Sequence, residues 1–345
     1  MEHPTRAASE PATRLKLKSL VLLIACFTIC FPASPKPIRK SRSVVESEKL
    51  WKDPSGARDL FYGPGGKDHQ PAGKRFKFVE EDLDGTSPKY NVLDESGVKW
   101  KIKLGPEAKP ETAASRLVWA AGYFANEDYF LDELRMDGVP AQLHRGRNLV
   151  ARDGTVRDAR LKRHLKGEEK IGTWKWRDDP FTGSREWNGL RVLMALLNNW
   201  DLKDENNAVF EDKARPERMY LVSDLGASFG ANGYNPDTSL SKGNLRSYQR
   251  SNFILKTTPD YVDFAIPSRP AMIMVFYPPG FFQRMNLRWI GKRVPRDDAR
   301  WVGRILARLS PAQISDAFRA SGFSPKEVAG FTAVVEKRIR ELNAL

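Results

Sequence analysis

The sequence predicts an α+β fold of two lobes, a small antiparallel-sheet lobe followed by a larger, mainly helical one. Three observations predict it. Residues 76–104 hold three short stretches of strand pattern separated by turn residues. Residues 187–200 repeat apolar side chains at helical spacing, and three helical segments close the chain between residues 299 and 342. A chain of 345 residues, 41% hydrophobic and with nine tryptophans, can bury the core such a fold needs.

The amino terminus reads separately from the fold. Arg14, Lys16 and Lys18 precede an apolar run over residues 20–31, and Pro32-Ala-Ser-Pro35 offers small residues for cleavage, the layout of a secretory signal. The run is too short to span a bilayer comfortably. Residues 1–34 therefore read as a signal peptide or signal anchor, which implies export to the cell envelope or beyond. Leu23-Ile-Ala-Cys26 resembles a lipoprotein cleavage box, so a lipidated or anchored form stays open. Both cysteines, Cys26 and Cys30, fall in this segment, and a chain cut after it carries no disulfide. Residues 35–74, rich in Pro, Gly and charge, read as a linker or irregular lead-in.

The first lobe is expected over residues 75–134. Residues 76–80 and 90–93 read as strands joined by a turn-rich loop. Gly85, Thr86 and Ser87 in that loop could offer backbone and hydroxyl donors to phosphate oxygens, although an ordinary Gly-Ser-Pro hairpin turn explains them equally. Val98, Trp100, Ile102 and Leu104 alternate with Lys99, Lys101 and Lys103, a half-buried strand with lysines along one face. A helix is expected over residues 111–123, with Pro110 suiting its start.

Residues 135–345 are expected to form the second lobe with insertions, and residues 135–186 show few clear elements. Leu190, Val192, Leu193, Leu196 and Leu197 mark a buried helix that delivers the chain to Trp200-Asp-Leu-Lys-Asp-Glu-Asn206. Taken alone, that charged run could be a solvated turn. Residues 207–210 and 219–222 read as two strands, and Asp224-Leu-Gly226 follows the second. Helices are expected over 299–309, 311–320 and 325–342, with Ser310/Gln313 and Ser324/Glu327 in capping-box spacing.

Phosphoryl transfer needs a carboxylate to orient the acceptor hydroxyl, oxygen ligands for magnesium and a lysine on the phosphates. WDLKDENNAVF resembles the catalytic loop of protein kinases, and YLVSDLGASFG resembles the strand and metal-binding Asp-x-Gly that follow it. Asn199 and Trp200 stand where His and Arg usually precede the Asp, and Leu225 replaces the usual Phe. The match is therefore closer to atypical members of the kinase-like superfamily: HipA-type bacterial kinases, phosphatidylinositol kinases and secretory-pathway kinases. With the amino-terminal signal, the resemblance points to an exported bacterial group.

The resemblance implies ATP, or a related nucleotide, as donor and Mg (or Mn) as metal. It implies Asp201 as base with Lys203 as its charge partner, Asn206 and Asp224 as metal ligands, and Lys103 on the phosphates. Glu111 would position Lys103, with Glu107 the alternative, while Gly85, Thr86 and Ser87 would cover the phosphates. Residues 231–253 would correspond to an activation segment. The acceptor, a hydroxyl on a protein, lipid or small molecule, is left open. So are two other classes: a catalytically silent kinase-like module that binds nucleotide or a partner, and an exported structural or interaction protein. Retention of Lys103, Asp201, Asn206 and Asp224 together argues against both.

Other chemistries fit poorly. Gly226-Ala-Ser228-Phe-Gly230 matches a hydrolase nucleophile elbow, yet no histidine follows Ser228 in the chain. His144 and His164 are too isolated for a zinc site. The net charge of +14 favours anionic partners such as nucleotides or an anionic membrane surface. No nucleic-acid-binding motif accompanies the basic clusters, so no specific nucleic acid is expected. The oligomeric state is not legible.

Overall fold

The computed structural model describes residues 48–56, 58–212, 215–230, 242–267 and 278–345. The signal segment with both cysteines, the start of the lead-in and residues 231–241 of the expected activation segment lie outside the described residues.

The described part of the lead-in opens with a short strand, β1 (Glu48–Lys49), and continues as a strap. Trp51 Nε1 donates to the Ala121 carbonyl at 2.8 Å, and the Lys52 amide donates to Gly122 at 2.9 Å. The Trp51 and Trp301 rings lie 5.1 Å apart, and Gln313 Nε2 donates to the Arg58 carbonyl at 3.0 Å. The strap thus touches both lobes.

Strands β2 (Arg75–Asp82), β3 (Lys89–Asp94) and β4 (Lys99–Lys103) are consecutive antiparallel neighbours, with Lys89 opposite Lys103. Helix α1 (Ala108–Ala120) follows β4. Then β5 (Asp128–Asp137) and β6 (Thr155–Arg163) form a second antiparallel pair. β6 returns to β4, and β5 pairs in parallel with β2, closing a barrel in the order β2-β3-β4-β6-β5. Phe76, Tyr90, Trp100, Ile102, Met136 and Leu161 fill it. The two-residue period expected for β4 places Trp100 and Ile102 inside and the lysines outside.

The barrel does not end at Leu134, where the sequence reading closed the first lobe. β6 lies within residues 135–186, which showed few clear elements, and it supplies the last barrel strand. Its pattern was obscured because its outer face carries Arg160 and Lys162, charged residues that face protein and a cleft instead of open water.

The second lobe opens with β7 (Glu168–Gly172) and α2 (Arg185–Leu196), which Ser184 caps by accepting from the Trp187 amide at 3.1 Å. Every residue of α2 from Trp187 onward is buried. β8 (Asn207–Asp212) and β9 (Arg215–Val222) form the expected hairpin within a sheet ordered β1-β9-β8-β7. Beyond lie α3 (Leu245–Arg250), β10 (Ile254–Thr257), β11 (Tyr261–Phe264), α4 (Pro278–Asn286) and β12 (Val294–Pro295). The chain closes with α5 (Arg296–Leu306), α6 (Pro311–Arg319) and α7 (Pro325–Asn343). Both expected capping boxes form, at Ser310/Gln313 and Ser324/Glu327. Leu193, Phe229, Tyr248, Phe318 and Phe331 belong to the core of this lobe, with Phe318 and Phe331 stacked at 5.1 Å. No helix among the described residues is long and apolar enough to cross a membrane.

Candidate active site

Lys103 ends β4, and a turn through Gly105, at φ +91°, leads into α1. The helix begins three residues earlier than the composition suggested, so Glu107 becomes its N-cap residue and Glu111 follows one turn later. Both reach Lys103. Its Nζ lies 2.8 Å from Glu107 Oε2, 2.8 Å from Glu111 Oε2 and 3.2 Å from Asp224 Oδ2. The sequence had left Glu107 and Glu111 as alternatives; residues four apart share a helix face, and the structure uses both.

At 3% exposure, burial alone would lower the Lys103 pKa. The carboxylates of Glu111, Asp224 and Glu107 outweigh it and hold the ammonium above its ordinary value. Glu111, also buried, accepts from Arg160 Nη2 at 2.7 Å, and Arg160 Nη1 lies 3.4 Å from Asp128 Oδ1. Glu107 pairs with Lys242 and accepts from Ser87 Oγ at 3.0 Å. Burial would raise the Glu107 pKa, but Lys103 and Lys242 hold it well below the usual carboxylate range.

The Asp201 loop is organised differently. Asn198 sits at φ +54°, a left-handed conformation that Asn tolerates, and turns the chain out of α2. Asn199 Oδ1 accepts from the Asp201 amide at 3.0 Å. Asn206 joins the two sequence motifs: its Nδ2 donates to the Asp201 carbonyl, while its own carbonyl accepts from the amides of Ser223 at 2.8 Å and Asp224 at 3.0 Å. The Asp201 carboxylate meets Arg284 Nη2 at 2.7 Å and Lys203 Nζ at 3.6 Å. Asp224 Oδ1 accepts from the Gly226 amide at 3.1 Å. A Cβ on Gly226 would lie 2.8 Å from Glu107 Cβ, so glycine permits the close approach of this loop to α1.

Lys103, Glu107, Glu111, Asp224, Asn206, Asp201 and Lys203 therefore form one continuous set of contacts. Of the phosphate-loop candidates, Ser87 reaches this set through Glu107, whereas Gly85 and Thr86 are exposed at the β2–β3 turn. Arg145 donates to the Gly85 and Leu83 carbonyls, anchoring the turn from outside. Ser228 is fully buried, and His69 and His144 pair separately with Glu127 and Glu81.

Glu107, Glu111 and Asp224 each offer an oxygen, all within 4.8 Å of one another, and the Lys103 ammonium sits among them. Carboxylate oxygens are the donors that suit magnesium or manganese. Sequence reasoning missed Arg160, Lys242, Arg284 and Lys89. Lys89 lies opposite Lys103 in the strand register, and burial chiefly lowers its pKa.

A cavity of about 480 Å³ opens beside this set, lined by Lys101, Trp100, Lys162, His164, Phe210 and Leu221 among others. A second, of about 650 Å³, lies beyond the start of α1 and is lined by Pro110, Arg157, Lys242 and Phe323; neither cavity has Lys103, Asp201 or Asp224 in its wall.

No protein-family model matches the sequence, and no curated protein matches it either. Among solved structures, the chain is similar to the Helicobacter pylori proinflammatory kinase CtkA, at 10% identity over 78% of this chain and 96% of that one, with a TM-score of 0.42. It is also similar to a Golgi casein kinase with Mn/ADP bound, at 12% identity over 80% and 72% of the two chains, TM-score 0.38. A third likeness is to the Rio2 kinase of Chaetomium thermophilum in an ADP/Mg²⁺-phosphoaspartate complex, at 14% identity over 80% and 73%, TM-score 0.28. On its own topology the chain has an α+β, two-lobed fold, with Lys103 and Asp224 meeting where the lobes join.

Proposed function

We propose that this protein is a divalent-metal-dependent phosphotransferase that moves the terminal phosphoryl group of ATP, or a related nucleoside triphosphate, to a hydroxyl. The observation that carries the reading is the Lys103 ammonium held between Glu111 on α1 and Asp224 after β9, from opposite lobes. Such a lysine has its position and charge fixed in advance, which positioning and electrostatic catalysis require. Asp224 and Asn206 would hold the metal, with Glu107 and Glu111 in reach. A bound ion would supply charge neutralisation at the phosphates. Asp201, its carboxylate 21% exposed, would accept the proton of the acceptor hydroxyl, with Lys203 beside it.

The acceptor is a protein, lipid or small molecule carrying a hydroxyl. The signal pattern of residues 1–34 supports export to the cell envelope or beyond, where the excess of basic residues would favour an anionic surface. A second reading, a silent module that binds nucleotide without turnover, is favoured by one contact: Arg284, buried, covers the Asp201 carboxylate at 2.7 Å.

Calorimetric titration of ATP with and without magnesium or manganese, beside Asp224→Ala, tests the site. Metal-dependent binding lost in the variant is expected; binding unchanged by Asp224→Ala would sink the assignment. Nucleotide hydrolysis or transfer by the wild-type chain then separates the active reading from the silent one.

A further inference from the structure

A helix on a protein surface ordinarily docks through an apolar stripe. α4 does not. Of its nine residues only Gly280 and Arg284 are buried, so its one buried side chain is charged. Phe281 and Met285 are half-buried, and Phe282, whose ring lies 5.6 Å from that of Phe281, is 55% exposed. The helix rests on the lobe through Arg284, and Arg284 rests on the Asp201 loop. Its Nη2 lies 2.7 Å from Asp201 Oδ1, and its guanidinium lies 5.6 Å from the Trp200 ring centre.

This seat is incompletely satisfied. Arg284 Nη1 donates to the Gly280 carbonyl of its own helix at 3.0 Å, while Nε, though buried, has no hydrogen-bond partner among the described residues. A buried donor without a partner costs free energy, and releasing the ion pair would let both charges and that donor meet water. The contact also covers the base. Asp201 Oδ1 is buried beneath Arg284, and Oδ2 faces Lys203 Nζ at 3.6 Å. An acceptor hydroxyl gives up its proton only within about 3 Å of a carboxylate oxygen. While α4 is seated, Oδ1 is taken.

We propose that α4 is an autoinhibitory latch: with Arg284 on Asp201 the chain binds metal and nucleotide but turns over slowly, and withdrawal of α4 uncovers the base. The inference rests on the phosphotransferase reading above. It accounts for a site whose residues are all present while its base is covered. The exchange is one of partners alone, since Arg284 gives up Asp201 for water and Asp201 gains the acceptor hydroxyl.

The test compares the full-length wild type with Arg284→Gln, which removes the charge, and with Gln283→Pro, which breaks α4 at an exposed position and leaves Arg284 in the chain. Phosphate release from ATP, metal-dependent ATP binding and hydrogen exchange along α4 are measured for each, with magnesium or manganese present. Both variants are expected to release phosphate roughly fivefold faster or more, with ATP binding unchanged and the α4 amides exchanging faster. Turnover unchanged or lowered in the folded variants would overturn the latch and make Arg284 a group that positions the base, while metal-dependent binding lost in Asp224→Ala would still support the phosphotransferase site. ATP bound by all three chains but turned over by none would overturn the latch together with the active reading. Should Arg284→Gln fail to fold, Gln283→Pro decides.

Discussion

The two ends of the site are built on opposite plans. At Lys103 the charges are mostly buried and paired: the ammonium touches three carboxylates, of which Asp224 is partly exposed, and Glu111 is shared with Arg160, which in turn faces Asp128. At Asp201 the carboxylate is partly exposed, sits on a loop and meets two cations, one of them at 3.6 Å. Buried charges are tolerable when every member is compensated, and their low-dielectric surroundings then fix geometry firmly. An open carboxylate is held less firmly but can be reached by an acceptor. The difference separates the part that must be positioned before a nucleotide arrives from the part that must exchange partners during reaction.

Breaking the buried end should have the largest effect. Arg160→Met removes the partner of both Glu111 and Asp128 and should destabilise the fold by about 3–5 kcal/mol, read as a lower urea midpoint. An unchanged midpoint would erase the contrast between the two ends. At the open end, Asp201→Asn keeps a hydrogen-bond acceptor for the buried Arg284 and should cost about 1–3 kcal/mol, less than Arg160→Met. Turnover should fall by at least ~100-fold, the usual contribution of a positioned general base. Equal loss of stability in the two variants would show that both ends serve packing.

The smallest effect concerns two lysines on the same barrel. Lys103 has three carboxylates in contact, whereas Lys162 has none among the described residues, and burial pushes its pKa down to about 8. Asp128 and Glu111 act against that lowering, and Arg160 and Lys101 add to it. Because the folded value lies below the unfolded one, the cost of the buried charge is fully present below pH 8. It fades as pH rises toward the ordinary lysine value near 10.5. Lys162→Met should therefore raise Tm by a few degrees at pH 7, relative to wild type, and by less at pH 10. A gain independent of pH would assign the effect to packing.

Much of the fold was legible because it is local. The alternation around Lys103, the apolar spacing of α2 and the two capping boxes each state a period or a cap within a few residues. Closure of the barrel was not legible. β6 carries buried charges that read as solvated, and its pairing with β4 joins residues far apart in sequence. At the site, the sequence named residues that the structure brings together around Lys103 and Asn206. Arg284 and Lys242 could not be named, because the polar segments that carry them give no periodic signal, and their partners are set by tertiary packing alone.

The strap that begins at β1 bears on how the cleft can move. It pins the chain just after α1, at Ala121 and Gly122, against Trp51, whose ring in turn rests on Trp301 of α5. The opposite end of α1 carries Glu107 and Glu111 into the cleft. A lever fastened at its far end can tilt but hardly slide, so hinge motion of the barrel would carry Lys103, Glu107 and Glu111 as one unit. Opening would draw them away from Asp224 on the other lobe, and shutting would complete the electrostatic cradle.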